Sequence, residues 1–195
     1  MGGWNLMGKK SIVLAGGCFW GMEKLYRATS HVIDVTAGYA NGRSEEMANY
    51  QDVCSGITGF RESVRIEYDP AVISLRHLLF IFYAVIDSAM WHRQGMDIGS
   101  QYQTGIYWED SEDEATVRAV SDMERASVRE FYVELTPLRN FYPAEAYLQR
   151  YLEKNRDGYC HIAPLRMMAA ADYPYTDTAY IRPAKELLTE WQGHH

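Results

Sequence analysis

The chain has 195 residues, with 19 Lys or Arg against 26 Asp or Glu and a formal net charge of −7. At roughly 150 residues per domain this length predicts one domain with room for a real core. Hydrophobic residues make up 47% and charged residues 23%, the balance of a globular chain and not of a disordered one. An acidic chain without a Lys/Arg run argues against a nucleic-acid backbone or an anionic membrane as partner. The longest apolar run, residues 78–86, is far short of the ~18 residues that a membrane span needs.

Three cysteines, Cys18, Cys54 and Cys160, are too few and too scattered for a disulfide framework, and an odd count fits a reducing compartment. None lies in a C-x-x-C pair or at zinc-like spacing from a His, so no metal and no cofactor are expected. Leu14-Ala15-Gly16-Gly17-Cys18 looks like a lipoprotein box, but it has one residue too many. The apolar stretch before it, residues 12–15, is shorter than the ~7–15 residues of a secretory signal. A cytoplasmic location is expected.

In chain order, residues 11–15 form a short apolar run that ends at Gly16-Gly17, the pattern of a buried strand. From Cys18 the period turns helical, with Phe19, Met22, Leu25 and Tyr26 on one face. Residues 32–40 are β-rich and end at the turn signal Asn41-Gly42. Val64, Ile66 and Tyr68 alternate with Arg65 and Glu67, so residues 63–68 predict a half-buried strand stopped by Asp69-Pro70. Leu75, Leu78, Leu79, Phe82 and Ile86 have the spacing of a core helix. A strand is predicted over 102–108. Ser111 with Glu114 reads as a capping box that opens a helix to Val128, and Phe131, Val133 and Leu135 alternate as a further strand. Pro143 suits the first turn of a helix with the stripe Ala144, Tyr147, Leu148, Tyr151 and Leu152.

The expected class is α+β: a mixed sheet with helices packed against it, a ferredoxin-like core, long irregular loops and a C-terminal tail. Residues 1–195 are read as a single catalytic domain, with a flexible stretch over 1–10 and a largely coil tail, 156–195, that carries Cys160. Residues 42–62 and 87–101 lack periodicity, and structureless loops beyond ~12–15 residues in a compact domain are usually functional or disordered; both carry aromatics and neither is low-complexity, which favours function.

Cys18 follows a strand and two glycines and begins a helix. The positive end of the helix dipole stabilises a thiolate there, which predicts a reactive thiol; a small buried hydrophobe at a strand end is the other reading. Phe19 and Trp20 point in different directions on a helix, so one of them is free to line a pocket. An aromatic wall suits a methyl or thioether group, with sulfur–aromatic contacts of about 0.3–1.5 kcal/mol. Ordinary packing remains the alternative. Taken alone, Glu62 reads as a solvated edge charge and Asp97 as a turn residue.

Gly16-Gly17-Cys18-Phe19-Trp20-Gly21 resembles the active-site signature of the A-type peptide methionine sulfoxide reductases. Further matches follow in order: Gly38-Tyr39, the segment from Tyr50 to Gly56, Thr58-Gly59, Glu62, Arg93-Gln94-Gly95, Asp97, Gly99, Gln101-Tyr102, then Tyr151 to Asn155 and Gly158-Tyr159-Cys160. The likeness runs from Ser11 to His161. It implies that Cys18 attacks the sulfoxide sulfur and becomes a sulfenic acid. Glu62 would protonate the sulfoxide oxygen, with the Tyr50 and Tyr102 phenols hydrogen-bonded to it. Phe19 and Trp20 would hold the substrate methyl, and Asp97 would serve as a carboxylate of the substrate loop. Cys160 would resolve the sulfenic acid to a disulfide that thioredoxin reduces. The implied substrate is methionine S-sulfoxide, free or in oxidised proteins and peptides, and the expected oligomeric state is a monomer. Cys54 is assigned to structure.

The chemistry is coherent. A sulfoxide oxygen leaves only once protonated, so a thiol needs an acid beside it, and an apolar setting can raise a carboxyl pKa into that role. Condensation with a second thiol avoids the dead-end sulfinic state. Phe60, Ser88, Gln103 and Leu148 depart from the family pattern, without removing a proposed catalytic group. A thiol peroxidase or redox sensor would also use Cys18 and Cys160 but has no use for an acid at Glu62. A cysteine hydrolase would need a base from His31, His77, His92 or His161, with no local signature for any. A non-catalytic module that binds oxidised peptides would leave Cys18 structural.

Overall fold

The computed structural model describes residues 8–194. In chain order the elements are β1 (Lys10–Ala15), α1 (Phe19–Ala28), β2 (Val32–Ala40), α2 (Tyr50–Cys54), β3 (Arg61–Tyr68) and α3 (Leu75–Val85). The short β4 (Arg93–Gln94) and β5 (Asp97–Ile98) come next, then β6 (Gly105–Trp108), α4 (Glu114–Arg125), β7 (Glu134–Pro137) and β8 (Phe141–Pro143). The chain closes with α5 (Tyr151–Lys154), α6 (Pro164–Asp172) and α7 (Ala184–Gly193). Among the described residues no helix is long and apolar enough to cross a membrane.

Six strands form one sheet in the order β7-β6-β1-β3-β2-β8, and β4 pairs with β5 in a separate hairpin. The central four, β6-β1-β3-β2, are antiparallel neighbours, while β7 joins β6 in parallel. With α1 after β1 and α3 after β3, this is the expected ferredoxin-like arrangement. β1 shows why its sequence is apolar without alternation. Ile12 and Leu14 join the main core under the helices, while Val13 and Ala15 face the other side with Ala40 and Tyr107, beneath Leu138 and Phe141. A strand covered on both faces has no polar side to show. α3 brings Leu78, Leu79 and Phe82 to the main core at zero exposure, each such side chain contributing about 1.5–3 kcal/mol of burial. The Ser74 hydroxyl opens it by accepting the His77 N–H at 3.1 Å.

Several expected elements are corrected. Residues 1–7 of the supposedly flexible start lie outside the described residues, but Lys10 already belongs to β1, tied by its Nζ to Asp113 at 2.8 Å and Asp110 at 2.9 Å. Ser111 does not cap the next helix: residues 111–113 make a 3-10 turn, the Asp110 carboxylate accepts the Glu112 N–H at 2.9 Å, and α4 then stops at Arg125. The helix expected from Pro143 is not formed. Pro143 pairs with Gly38 in β8, and Gln149 uses its side-chain amide on both backbone groups of Ala37. Arg150, with φ at 54°, then starts α5 afresh. The strand expected from Phe131 is shifted to β7. The region from residue 156 is not largely coil, since α6 buries Met167, Ala169 and Ala170, and α7 buries Ala184, Leu187 and Leu188.

Candidate active site

The topology brings the C-terminal end of β1 beside the N-terminal end of β3, with Leu14 opposite Val64. Two residues further along each strand lie the Gly16-Gly17 turn and Glu62. Gly17 has φ +87°, and a Cβ there would sit 2.7 Å from the Gln94 Cβ, so the turn requires glycine. Cys18 then occupies the N-cap of α1. The first helical N–H, from Phe19, donates to Glu62 Oε2 at 3.1 Å. One helix end thus carries the thiol and holds the carboxyl.

Glu62 is 1% exposed, which removes the solvated-edge reading. Burial pushes its pKa up to about 8, with the Asp97 charge adding to it and the Phe19 N–H opposing it. The carboxyl therefore keeps its proton near neutral pH, as an acid must. Cys18 reverses the expectation drawn from its placement. It is 6% exposed, and burial, then the Glu62 charge, push its thiol up, while the Trp20 N–H pulls the other way. Desolvation of the thiolate outweighs the helix end, so the resting thiol is neutral.

Tyr50 opens α2, and Tyr102 lies in the 3-10 turn of residues 100–102. Both phenols are half-buried, and burial pushes both up, so they stay protonated donors. Glu62, Cys18 and Asp97 are the next charges that Tyr102 feels. Asp97 sits on β5 near the Tyr159 hydroxyl, and burial raises its pKa. Phe19 and Trp20 do separate, as adjacent helical residues must. Phe19 has zero exposure and packs on Tyr39, ring centroids 5.8 Å apart, so it presents no surface in this form. Trp20 keeps part of its surface and stacks on Tyr151 at 3.9 Å.

The C-terminal segment reaches the site although Cys160 lies 142 positions after Cys18 in the chain. Gly21, one turn into α1 from Cys18, marks the contact: a Cβ there would lie 3.0 Å from Cys160 Sγ. The Cys160 charge also registers at Cys18. All three cysteines are free, and Cys54 is exposed on α2 near the Tyr50 phenol. Among the described residues no His, Cys, Asp or Glu cluster could hold a metal ion.

Glu145 escaped the sequence reading. Its carboxylate accepts the Tyr39 hydroxyl at 2.7 Å and the Tyr50 N–H at 2.8 Å, tying α2 to the strand residue paired with Glu62. A Glu between Pro143 and Tyr147 offers no local signal for that bridge. The four departures take structural places. Phe60 and Leu148 are buried at 1% exposure, Gln103 bridges the His92 N–H and the Tyr132 carbonyl at 2.7 Å each, and the Ser88 carbonyl receives the Tyr132 N–H.

A cleft of about 870 Å³ lies elsewhere, between Arg43, Arg61, Glu134 and Arg139. Arg61 follows the strand alternation to the face opposite Glu62 and is paired with Glu134 at 2.7 Å. No cysteine lines that cleft, so thiol chemistry does not sit there.

The family model described as "Peptide methionine sulfoxide reductase" matches residues 10–177. A Clostridium perfringens protein, "Peptide methionine sulfoxide reductase MsrA", is 44% identical over 154 residues, 78% of this chain and 98% of that protein. The reduced form of Mxr1 from Saccharomyces cerevisiae superposes with a TM-score of 0.76 at 33% identity, over 83% of this chain and 94% of Mxr1. Mxr1 in complex with Trx2 matches with a TM-score of 0.52 at 25% identity, over 77% and 90% of the two chains. Matched length, identity and shared fold agree, and the chain belongs to the peptide methionine sulfoxide reductase family.

Proposed function

We propose that this methionine sulfoxide reductase works through Cys18 as nucleophile, Glu62 as acid and Cys160 as resolving thiol, on the S epimer of methionine sulfoxide. The observation that carries the reading is a fully buried carboxyl, protonated near neutral pH, on the helix end that bears a neutral thiol. Two buried acids without charge do not repel each other. When a sulfoxide enters, Glu62 gives its proton to the oxygen and its carboxylate takes the proton of Cys18 as the sulfur attacks. The oxygen passes to the Cys18 sulfur as a sulfenic acid and methionine leaves, so the thioether gains the two electrons that Cys18 loses. Tyr50 and Tyr102 donate to the sulfoxide oxygen, and the exposed part of Trp20 faces the methyl. Asp97 acts in the substrate loop, and Phe19 backs the site from the core.

Cys160 then condenses with the sulfenic acid, giving a Cys18–Cys160 disulfide and water. A thioredoxin reduces that disulfide, a reading supported by the complex of the yeast relative with Trx2. The whole chain acts as one catalytic unit, since the segment beyond residue 156 supplies Cys160. Three free thiols support work in the reducing cytoplasm.

The test is an assay on separated epimers of a methionine sulfoxide peptide, run with dithiothreitol and, in parallel, with thioredoxin as the sole reductant. With dithiothreitol, wild type should turn over the S epimer alone. Cys18→Ser should yield no methionine with either reductant, and Cys160→Ser should yield one equivalent with thioredoxin and fail to recycle. Turnover by Cys18→Ser, or full recycling by Cys160→Ser, would remove the corresponding role.

A further inference from the structure

The resolving step needs a home for the Cys160 proton, and the residue after it offers one. His161 Nε2 lies 2.8 Å from the Gly16 carbonyl oxygen. That oxygen can only accept, so in the neutral ring Nε2 carries the hydrogen and Nδ1 holds the lone pair. This Nδ1 is buried and has no hydrogen-bond partner. A Cβ on Gly21 would lie 3.2 Å from Nδ1 and 3.0 Å from Cys160 Sγ, so base and thiol converge over the one position of that helix turn that lacks a side chain.

We propose that His161 is the general base of disulfide formation, its Nδ1 taking the Cys160 proton as the sulfur attacks the Cys18 sulfenic acid. The proposal rests on Cys160 being the resolving thiol. The Sγ–Sγ bond forms as the Cys18 S–O bond breaks, and the imidazolium returns its proton to the departing hydroxide, which leaves as water. The Cys160 sulfur is oxidised and the Cys18 sulfenic sulfur is reduced, with no outside reductant. Asp97 on β5 stabilises the transient imidazolium, and its own Oδ2 is buried and unpartnered. The other titratable and charged groups around the pair are Lys24 on α1 and Tyr159 beside Cys160, with Asp87 after α3, Arg166 on α6 and Lys185 on α7 across a cleft of about 300 Å³ that His161 also lines. Burial pushes the Cys160 thiol up and the imidazole down, so near neutral pH the thiol holds a proton and the ring is free to take it.

The experiment mixes reduced full-length protein with one equivalent of S-sulfoxide peptide. Rapid quenching and mass spectrometry then follow methionine and the Cys18–Cys160 disulfide in the same samples. His161→Gln can still donate to the Gly16 carbonyl but has no basic lone pair. Relative to the methionine burst, its disulfide rate should fall at least about tenfold near neutral pH and recover as rising pH ionises the thiol unaided. A rate ratio like wild type overturns the proposal, and so does a slow rate that ignores pH, because His161 would then only anchor the tail. Wild type supplies a check that needs no variant: its disulfide rate should be flat from about pH 7 upward, and a rate that climbs through the thiol range overturns the base. Absence of any Cys18–Cys160 disulfide in wild type would instead refute the resolving role itself, a failure distinct from the others.

Discussion

Glu62→Gln isolates the central electrostatic claim, because it keeps the shape of the side chain and an oxygen for the Phe19 N–H while removing the ionisation. Burial raises the Glu62 pKa from 4.5 to about 8, so the folded chain binds this proton more tightly than the unfolded one. Stability from that source is present in full below pH 4.5 and is lost as the pH rises through about 8. At about 1.36 kcal/mol per pH unit the loss is about 5 kcal/mol in all, of which about 3 kcal/mol is gone by neutrality. Urea denaturation of both proteins across a pH series measures it, and the difference between the two curves cancels every other titrating group. Glu62→Gln should gain on wild type steadily with pH and be the more stable protein in mild alkali, yet its methionine burst should be about 10²–10⁴-fold slower. Parallel stability curves would mean that Glu62 is ionised in the folded protein, and a carboxylate without a proton cannot be the acid.

Three further outcomes are expected. Glu145→Ala strips acceptors from the Tyr39 hydroxyl and the Tyr50 N–H, so it should cost about 1–3 kcal/mol in urea and slow the methionine burst, while Glu145→Gln should restore much of both. A burst of normal rate in the alanine variant would free Tyr50 from that bridge. Gly21→Ala places a methyl 3.0 Å from Cys160 Sγ and 3.2 Å from the His161 ring, which should slow disulfide formation several-fold. Unchanged kinetics would show that the tail gives way without loss. Glu124, buried on α4, accepts the Tyr180 hydroxyl at 2.7 Å and the Ala184 N–H at 2.8 Å; Glu124→Ala should cost about 3 kcal/mol and open residues 173–183 to limited proteolysis. Resistance equal to wild type would mean that the C-terminal segment is held elsewhere.

Elements whose cause is local were legible in the chain. β2 matches residues 32–40, and α3 follows the stripe from Leu75, because a period or a capping Ser is written in neighbouring residues. Where distant groups compete for the backbone, the local pattern failed. The stripe after Pro143 is helical on paper, but the Gln149 amide and the Gly38 ladder claim that segment. α6 and α7 pack Ala169, Ala170 and Ala184 against the core, and small residues give a faint period.

The candidate site divides in the same way. Chain order alone pointed to Cys18, Glu62, Tyr50, Tyr102, Asp97 and Cys160 through their resemblance to one family's motifs. No motif contains a pKa. A protonated Glu62 and a neutral Cys18 exist because the fold removes water from both, and desolvation depends on everything packed around a group. The same holds for the thiols. Cys18 and Cys160 are far apart in sequence, and only the docking of residues 160–161 on Gly16 and Gly21 brings sulfur, imidazole and helix end together. Residue identity, a property of the chain, determined which chemistry was available; proximity and dielectric, properties of the packed whole, decided the protonation state in which each group waits.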